Sequence, residues 1–109
     1  MTLVDLRDLL VATGINVYHY EAHKATGSYI VWAEDGQAGA GHGDNRMTTQ
    51  IIQGTIDYFT KTEFDPAFEL IQTKLNSSEL AWKLNSIQRE KETGYIHYEW
   101  LWELVNSLG

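Results

Sequence analysis

The sequence predicts a single α+β domain over residues 1–109. Its expected architecture is a small antiparallel or mixed sheet of about five strands with two helices packed on one face, in the order α-β-β-β-α-β-β. Two observations predict this class. Two segments have apolar residues at helical spacing behind an N-terminal cap, and several others alternate apolar and polar residues with a period of two. The apolar fraction of 43% is sufficient for a core.

The first helix is predicted close to the N-terminus. Thr2 is a suitable N-cap, and Asp5 three residues later resembles the acidic member of a capping box. Gly14 stands where a left-handed residue commonly ends a helix. One apolar stripe faces the core, formed by Leu3, Leu6, Leu9 and Leu10.

Three strands are expected next, over residues 17–20, 28–34 and 47–60. Asp35-Gly36 is expected to turn the chain, and the glycine-rich residues 36–43 to form a flexible loop or hairpin arm. Gly54 lies inside the third strand, which indicates a bulge or a close approach of another group.

The second helix has the clearest start signal, because Asp65 is a good N-cap and Pro66 follows at the first helical position. Its buried stripe is predicted to be Phe68, Ile71 and Leu75. The last third then predicts a hairpin that turns at residues 92–94. The second strand of this hairpin has the most regular alternation of apolar and polar residues. Its even-numbered residues share one face and are Ile96, Tyr98, Trp100, Trp102 and Leu104.

Composition excludes several classes of function. The net charge of −7, with no cluster of lysine and arginine, disfavours binding to a nucleic-acid backbone. The chain has no cysteine, which excludes disulfides, thiolate nucleophiles and cysteine-type zinc sites. Acidic residues interrupt the apolar N-terminal run, so a signal peptide is not expected, and no apolar stretch is long enough to span a membrane.

Three patterns resemble catalytic or binding motifs, and none supports a site. Residues 39–43 lack the lysine of a phosphate-binding loop and lead into a strand rather than a helix. His19 and His23 flank Glu21 in the wrong order for a metalloprotease helix. Glu99 and Glu103 lie about 13 Å apart along one strand, too far for paired acid–base catalysis. We therefore predict no enzyme, no cofactor and no metal site.

The last strand also predicts a partner. The aromatic residues Tyr98, Trp100 and Trp102 fit a core better than a stacking platform for bases, because no basic residue accompanies them. Leu101 lies on the other parity between Glu99 and Glu103, where a solvated strand face needs no apolar side chain. We expect this second face to be covered in part by another subunit.

Four segments resemble the tail terminator, or tail-completion, proteins of long-tailed phages and prophages. The resemblance covers nearly the whole chain through the order of its elements. The segments are YIVWAEDG at residues 29–36, GDNR at 43–46, GTIDYFTK at 54–61 and ETGYIHYEW at 92–100.

The resemblance implies a structural role in virion assembly. Such proteins form a ring, commonly a hexamer, that caps the head-proximal end of the tail tube and joins the tail to the head, so the implied partners are other copies of the chain, the tube protein and a neck protein. The implied location is the bacterial cytoplasm during assembly and then the virion. DNA passes through the ring lumen without sequence-specific binding, and no membrane is involved.

Partner contacts are expected at two places. The resemblance implies that the loop between residues 35 and 46 reaches a neighbouring subunit or the tube, which selects Asp44, Asn45 and Arg46. The second place is the more polar face of the last strand, where the expected contact residues are Glu99, Leu101 and Glu103. Two alternatives stay open: a neck or minor tail component, and a monomeric acidic inhibitor of the immunity or antitoxin type that caps a basic enzyme.

Overall fold

The computed structural model describes residues 1–43 and 45–108 and has the predicted α+β class and element order. Five strands form one sheet in the order β1-β2-β3-β5-β4, with β1 parallel to β2 and all other neighbours antiparallel. In chain order the elements are α1 (Leu3–Val11), β1 (Asn16–His19), β2 (Tyr29–Gly43), β3 (Arg46–Thr60), α2 (Ala67–Asn76), β4 (Ala81–Arg89) and β5 (Ile96–Ser107).

Both helices pack on one face of the sheet, as predicted. Leu6 and Leu10 of α1 and Ile71 and Leu75 of α2 are fully buried in a single core with the even-numbered residues of β5. The even-numbered residues of β5 therefore face the core, as predicted. Neither helix in the described residues is long and apolar enough to cross a membrane.

The predicted helix caps are confirmed. The Thr2 hydroxyl accepts from the Asp5 N–H at 3.1 Å, and the Asp5 carboxylate accepts from the Thr2 N–H at 2.8 Å, which completes a capping box. Asp65 Oδ1 accepts from the N–H of Ala67 at 2.9 Å, so Asp65 caps α2 although the regular helix begins one residue after Pro66. Gly14 has φ 82°, the predicted left-handed conformation.

The prediction that residues 36–43 form a flexible loop is wrong, and Asp35-Gly36 is not a turn. These residues continue β2 and pair with β3 as far as Gly43 opposite Arg46. The pairing of β2 with β3 shifts register at three places in or next to this glycine-rich stretch. The Ile51 side chain lies beside the position that a side chain of residue 39 would occupy. With β3 and the end of β5, these residues form a three-stranded hairpin arm, defined as residues 36–43, 46–53 and 104–108, at one end of a molecule 53 Å long and 24 Å wide.

Gly54 permits a close approach, one of the two roles that the sequence predicts for it. It lies opposite Trp102 in the β3–β5 pair. A Cβ atom at position 54 would lie 2.5 Å from Trp102 Cζ2 and 2.0 Å from the carbonyl oxygen of Ala33. Glycine is therefore required for the Trp102 ring to pack against the sheet.

The strand β4 contains an irregularity that its sequence pattern does not indicate. Leu84 pairs with Trp100, but the next pair is Ser86 with Glu99, so Asn85 is an extra residue in the strand. This bulge places Ile87 opposite Tyr98 and brings the Asn85 side chain to Glu99.

Candidate functional site

The side of the sheet opposite the helices, called the open face, carries the polar and charged residues of β3 and β5 that form the candidate site. It consists of the odd-numbered residues of β3 and β5 with their neighbours on β2 and β4, because side chains alternate between the two faces of a sheet. Most of these residues are half-buried by one another rather than by a helix. The open face divides along the strands into three zones.

Aromatic rings fill the zone farthest from the hairpin arm. Tyr29 stacks on Phe59 with ring centroids 4.9 Å apart, and Tyr95 meets both rings edge-on. The Lys61 ammonium lies 4.9 Å from the centre of the Tyr95 ring, within the range of a cation–π contact. The rings of this zone are packed mainly against one another.

The middle zone holds a cluster of three polar groups, Asp57, His97 and Glu99. His97 Nε2 lies 2.6 Å from Asp57 Oδ1, and one atom from each of the three side chains lies within 4.8 Å of the others. Burial raises the pKa of Asp57 above its usual range and outweighs the opposing hydrogen bond from His97. In the described part of the chain this is the only group of at least three such side chains close enough to share an ion.

The zone nearest the arm contains Leu101 and Glu103 beside a cavity of about 400 Å³. Lys83 and Gln53 line it on the open face, and Trp102 lines its inner side. The indole Nε1 of Trp102 is buried and has no hydrogen-bond partner among the described residues. An unsatisfied donor of this kind costs free energy, so this is a weak point of the packing.

The residues predicted to contact partners do not form one site. Asn45 and Arg46 lie at the tip of the hairpin arm, and Asp44 lies outside the described residues. Glu103 is exposed and pairs with Gln53, seven residues along β3 from Arg46, which separates it from the tip by about 23 Å. Glu99 and Leu101 are half-buried further along the same strand.

The histidine pattern at residues 19–23 behaves as two separate pairs. His19 ends β1 and binds Glu34 through Nε2 and Oε2 at 2.8 Å, with its ring stacked between Tyr20 and Trp32. His23 instead lies 3.2 Å from Glu21. Burial favours a higher pKa for Glu34, but hydrogen bonds from the Tyr20 hydroxyl and His19 prevail, so its pKa lies below the usual range. The exposed pair at residues 21 and 23 fits solvated polar side chains.

The cluster around His97 is not evident from the sequence. The spacing of His97 and Glu99 indicates that they share one face of a strand. Asp57, however, lies 40 residues earlier, and only the register of β3 against β5 places it opposite Glu99.

The edges of the hairpin arm are the other candidate for function. β1 pairs with β2 only from Tyr29 to Trp32, and β4 pairs with β5 only as far as Glu103. Within the described residues, both sides of the arm therefore present strand edges that no other strand covers: residues 33–43 of β2 on one side and 104–106 of β5 on the other. Such edges readily pair with another chain.

Comparison with known protein families finds no match to this sequence, and comparison with curated proteins finds none either.

Proposed function

We propose that this protein is a structural component of a phage or prophage tail that forms a ring, a hexamer by analogy with the family it resembles, and caps the head-proximal end of the tail tube. The observation that carries the proposal is the hairpin arm with strand edges on both sides. A monomeric domain normally protects long edges, because they promote association.

The two edges of the arm belong to different strands, which bears on the kind of assembly they support. Pairing the β2 edge of one copy with the β5 edge of the next is a head-to-tail contact between two different surfaces. Repeated contacts of this kind generate a closed ring when the rotation between copies completes a circle. The arm thus supplies the type of interface that the proposed cap requires.

The exposed apolar residues of the arm support the same proposal. Val105 is 55% exposed and lies opposite Ile51 on the open face, and Leu108 just beyond β5 is 50% exposed. Apolar side chains next to an unpaired edge add buried area to edge-to-edge pairing. The net charge of −7 suits a channel through which DNA passes without adhering.

Tail assembly with and without this protein tests the proposal. Tail tube protein from the same source as the chain is polymerised with and without the purified chain, and tube lengths are measured by negative-stain microscopy. We expect the chain to arrest elongation and a ring to be seen at one end of each tube. Unchanged tube growth would exclude a terminator, and normal tube length with failed head attachment would indicate a neck component instead.

Oligomeric state provides a second, independent test. Native mass spectrometry of the purified chain is expected to show a single ring species, either alone or after tube protein is added. A monomer under both conditions contradicts ring formation.

A further inference from the structure

We propose that Asp57, His97 and Glu99 form a binding site for one divalent transition-metal ion on the open face. The site is separate from the edges of the hairpin arm, so this inference holds whether or not the protein forms a ring.

The sheet brings the three ligands together through its register. Asp57 and Glu99 are direct partners across the β3–β5 pair, and His97 lies two residues before Glu99 on the same face. One ligand atom from each residue lies within 4.8 Å of the other two. Atoms bound to one zinc ion at about 2.0–2.2 Å lie roughly 3.4 Å apart, so zinc binding replaces the 2.6 Å contact between His97 Nε2 and Asp57 Oδ1 with two bonds to the ion.

The charge balance of the cluster favours a cation. Two carboxylates directly opposite each other in a sheet repel, and both are half-buried. No lysine or arginine of the described residues forms an ion pair with Asp57 or Glu99. A divalent ion compensates both carboxylates at once.

Two neighbouring residues hold the ligands in place. The His97 ring stacks on Phe59 with centroids 4.3 Å apart and planes 18° from parallel, which fixes the direction of Nε2. The Asn85 side-chain amide donates to Glu99 Oε1 at 2.7 Å, and this contact depends on the bulge in β4. Outer contacts of this kind orient metal ligands and tune their affinity.

The donor set selects the class of ion. One imidazole nitrogen and two carboxylate oxygens suit zinc, manganese and related first-row ions, whereas magnesium and calcium prefer oxygen ligands alone. Three protein ligands on a sheet face that no helix covers leave a coordination position open for water or for a group of a binding partner. Zinc is the appropriate first probe, because it accepts four ligands without a strong geometric preference.

The alternative is that His97 and Asp57 form a structural hydrogen-bonded pair and bind no ion. The chain contains a matched control for this alternative, because His19 and Glu34 also form a histidine–carboxylate pair, at 2.8 Å, with no third ligand group near it among the residues that the structure describes.

Calorimetric titration of the chelator-treated full chain with zinc chloride tests the site. We expect one saturable ion per chain, and Glu99→Gln and Asp57→Asn are each expected to weaken binding at least about tenfold, the lower end of the effect seen when an outer contact is lost. His19→Gln is expected to leave affinity unchanged. Zinc is also expected to shift the Nε2 resonance of His97 in the nuclear magnetic resonance spectrum.

Two results would overturn the proposal: no saturable binding by the wild-type chain, or equal binding by wild type, Glu99→Gln and Asp57→Asn. Circular dichroism and chemical unfolding of the metal-free variants establish that each is folded. If Asp57→Asn does not fold, Glu99→Gln decides the question, because its amide preserves the acceptor that receives the hydrogen bond from Asn85.

Discussion

Trp102 packs its ring onto the backbone of Gly54, its direct partner across β3 and β5. The indole of Trp102 is 1% exposed, and a methyl group at position 54 would lie 2.5 Å from the ring and 2.0 Å from the Ala33 carbonyl oxygen. The glycine and the tryptophan are therefore one packing unit, in which the absence of a side chain on β3 makes room for the largest side chain on β5.

Gly54→Ala is expected to destabilise the fold strongly. Because the clash involves backbone as well as side-chain atoms, the expected loss is at the upper end of the roughly 1–3 kcal/mol typical of overpacking, or above it. The free energy of unfolding in urea measures the effect. Gly36→Ala is the matched control, since a Cβ atom there would meet only Gln53 Nε2, at 3.8 Å. Equal stability of the two variants would contradict the packing of Trp102 described above.

Trp100→Ala is expected to cost about 3–5 kcal/mol, because the side chain is completely buried beneath the helices. Its indole also donates to Gln72 Oε1 on α2 at 3.2 Å. Leu101→Ala, one residue along the same strand, is the control and is expected to cost less, since Leu101 is only half-buried. Urea unfolding of both variants tests the two faces of β5 together. A loss below about 1 kcal/mol for Trp100→Ala would assign the core to the other parity.

Local sequence patterns are sufficient to predict the starts of the two helices and the buried face of β5. Thr2 and Asp65 are caps because their side chains accept from nearby N–H groups, an interaction that the adjacent sequence determines. The even residues of β5 are buried because alternation places them all on one face. In both cases the structure depends on residues close together in the chain.

The sequence does not predict the structure where contacts between residues far apart in the chain determine it. Residues 36–43 are poor in strand-forming side chains, and they form a strand because β3 provides a partner along their length. Asn85 follows an alternating pattern in the sequence, yet it is an extra residue against β5. The grouping of Asp57 with His97 likewise depends on register, which no local pattern contains.

Asp65 is expected to make stability depend on pH in the acidic range. Burial favours a higher pKa for this carboxyl, but hydrogen bonds from the Ala67 N–H and from the hydroxyls of Thr60 and Tyr58 prevail and hold its pKa below the usual value. A depressed pKa stabilises the folded state above the unfolded value of about 3.9, and that contribution is lost as the pH falls through the folded pKa.

Asp65→Asn removes the charge and keeps an oxygen that can accept from the Ala67 N–H, but its NH2 group replaces the acceptor of the Thr60 and Tyr58 hydroxyls. The charge is therefore identified by the pH dependence of the difference, since the loss of these acceptors does not titrate. We expect the variant to be less stable than wild type at pH 7 and the difference to shrink below about pH 4. Urea unfolding at a series of pH values measures both quantities. A difference that stays constant down to pH 2 would show that the charge of Asp65 is not its cause.

Asp65→Ala is expected to be the more damaging substitution at pH 7, with a loss of about 2 kcal/mol or more. It removes the cap of α2, and it also leaves the buried hydroxyls of Thr60 and Tyr58 without their common acceptor, to which each donates at 2.7 Å. Thermal or urea unfolding ranks the two variants. If alanine and asparagine at position 65 were equally stable, the capping contact with the Ala67 N–H would contribute nothing measurable, and if Asp65→Ala were as stable as wild type, the hydroxyls would be satisfied without Asp65.

Val105→Glu is expected to prevent ring formation without unfolding the monomer. Val105 is 55% exposed on the hairpin arm, so a charge there meets water in the monomer but would be buried in an edge-to-edge contact. Val4→Glu is the matched control, because Val4 is 54% exposed but lies on α1, away from the arm. Native mass spectrometry of both variants, with tube protein present, measures the assembled fraction.

The comparison separates an effect of position from an effect of charge. Both substitutions add one negative charge to a chain that already carries −7, so any general electrostatic repulsion between subunits is the same in the two variants. Loss of the ring only in Val105→Glu therefore assigns the interface to the arm. If both variants assemble, the copies join through another surface, and if neither does, the added charge alone prevents assembly and the arm is not implicated.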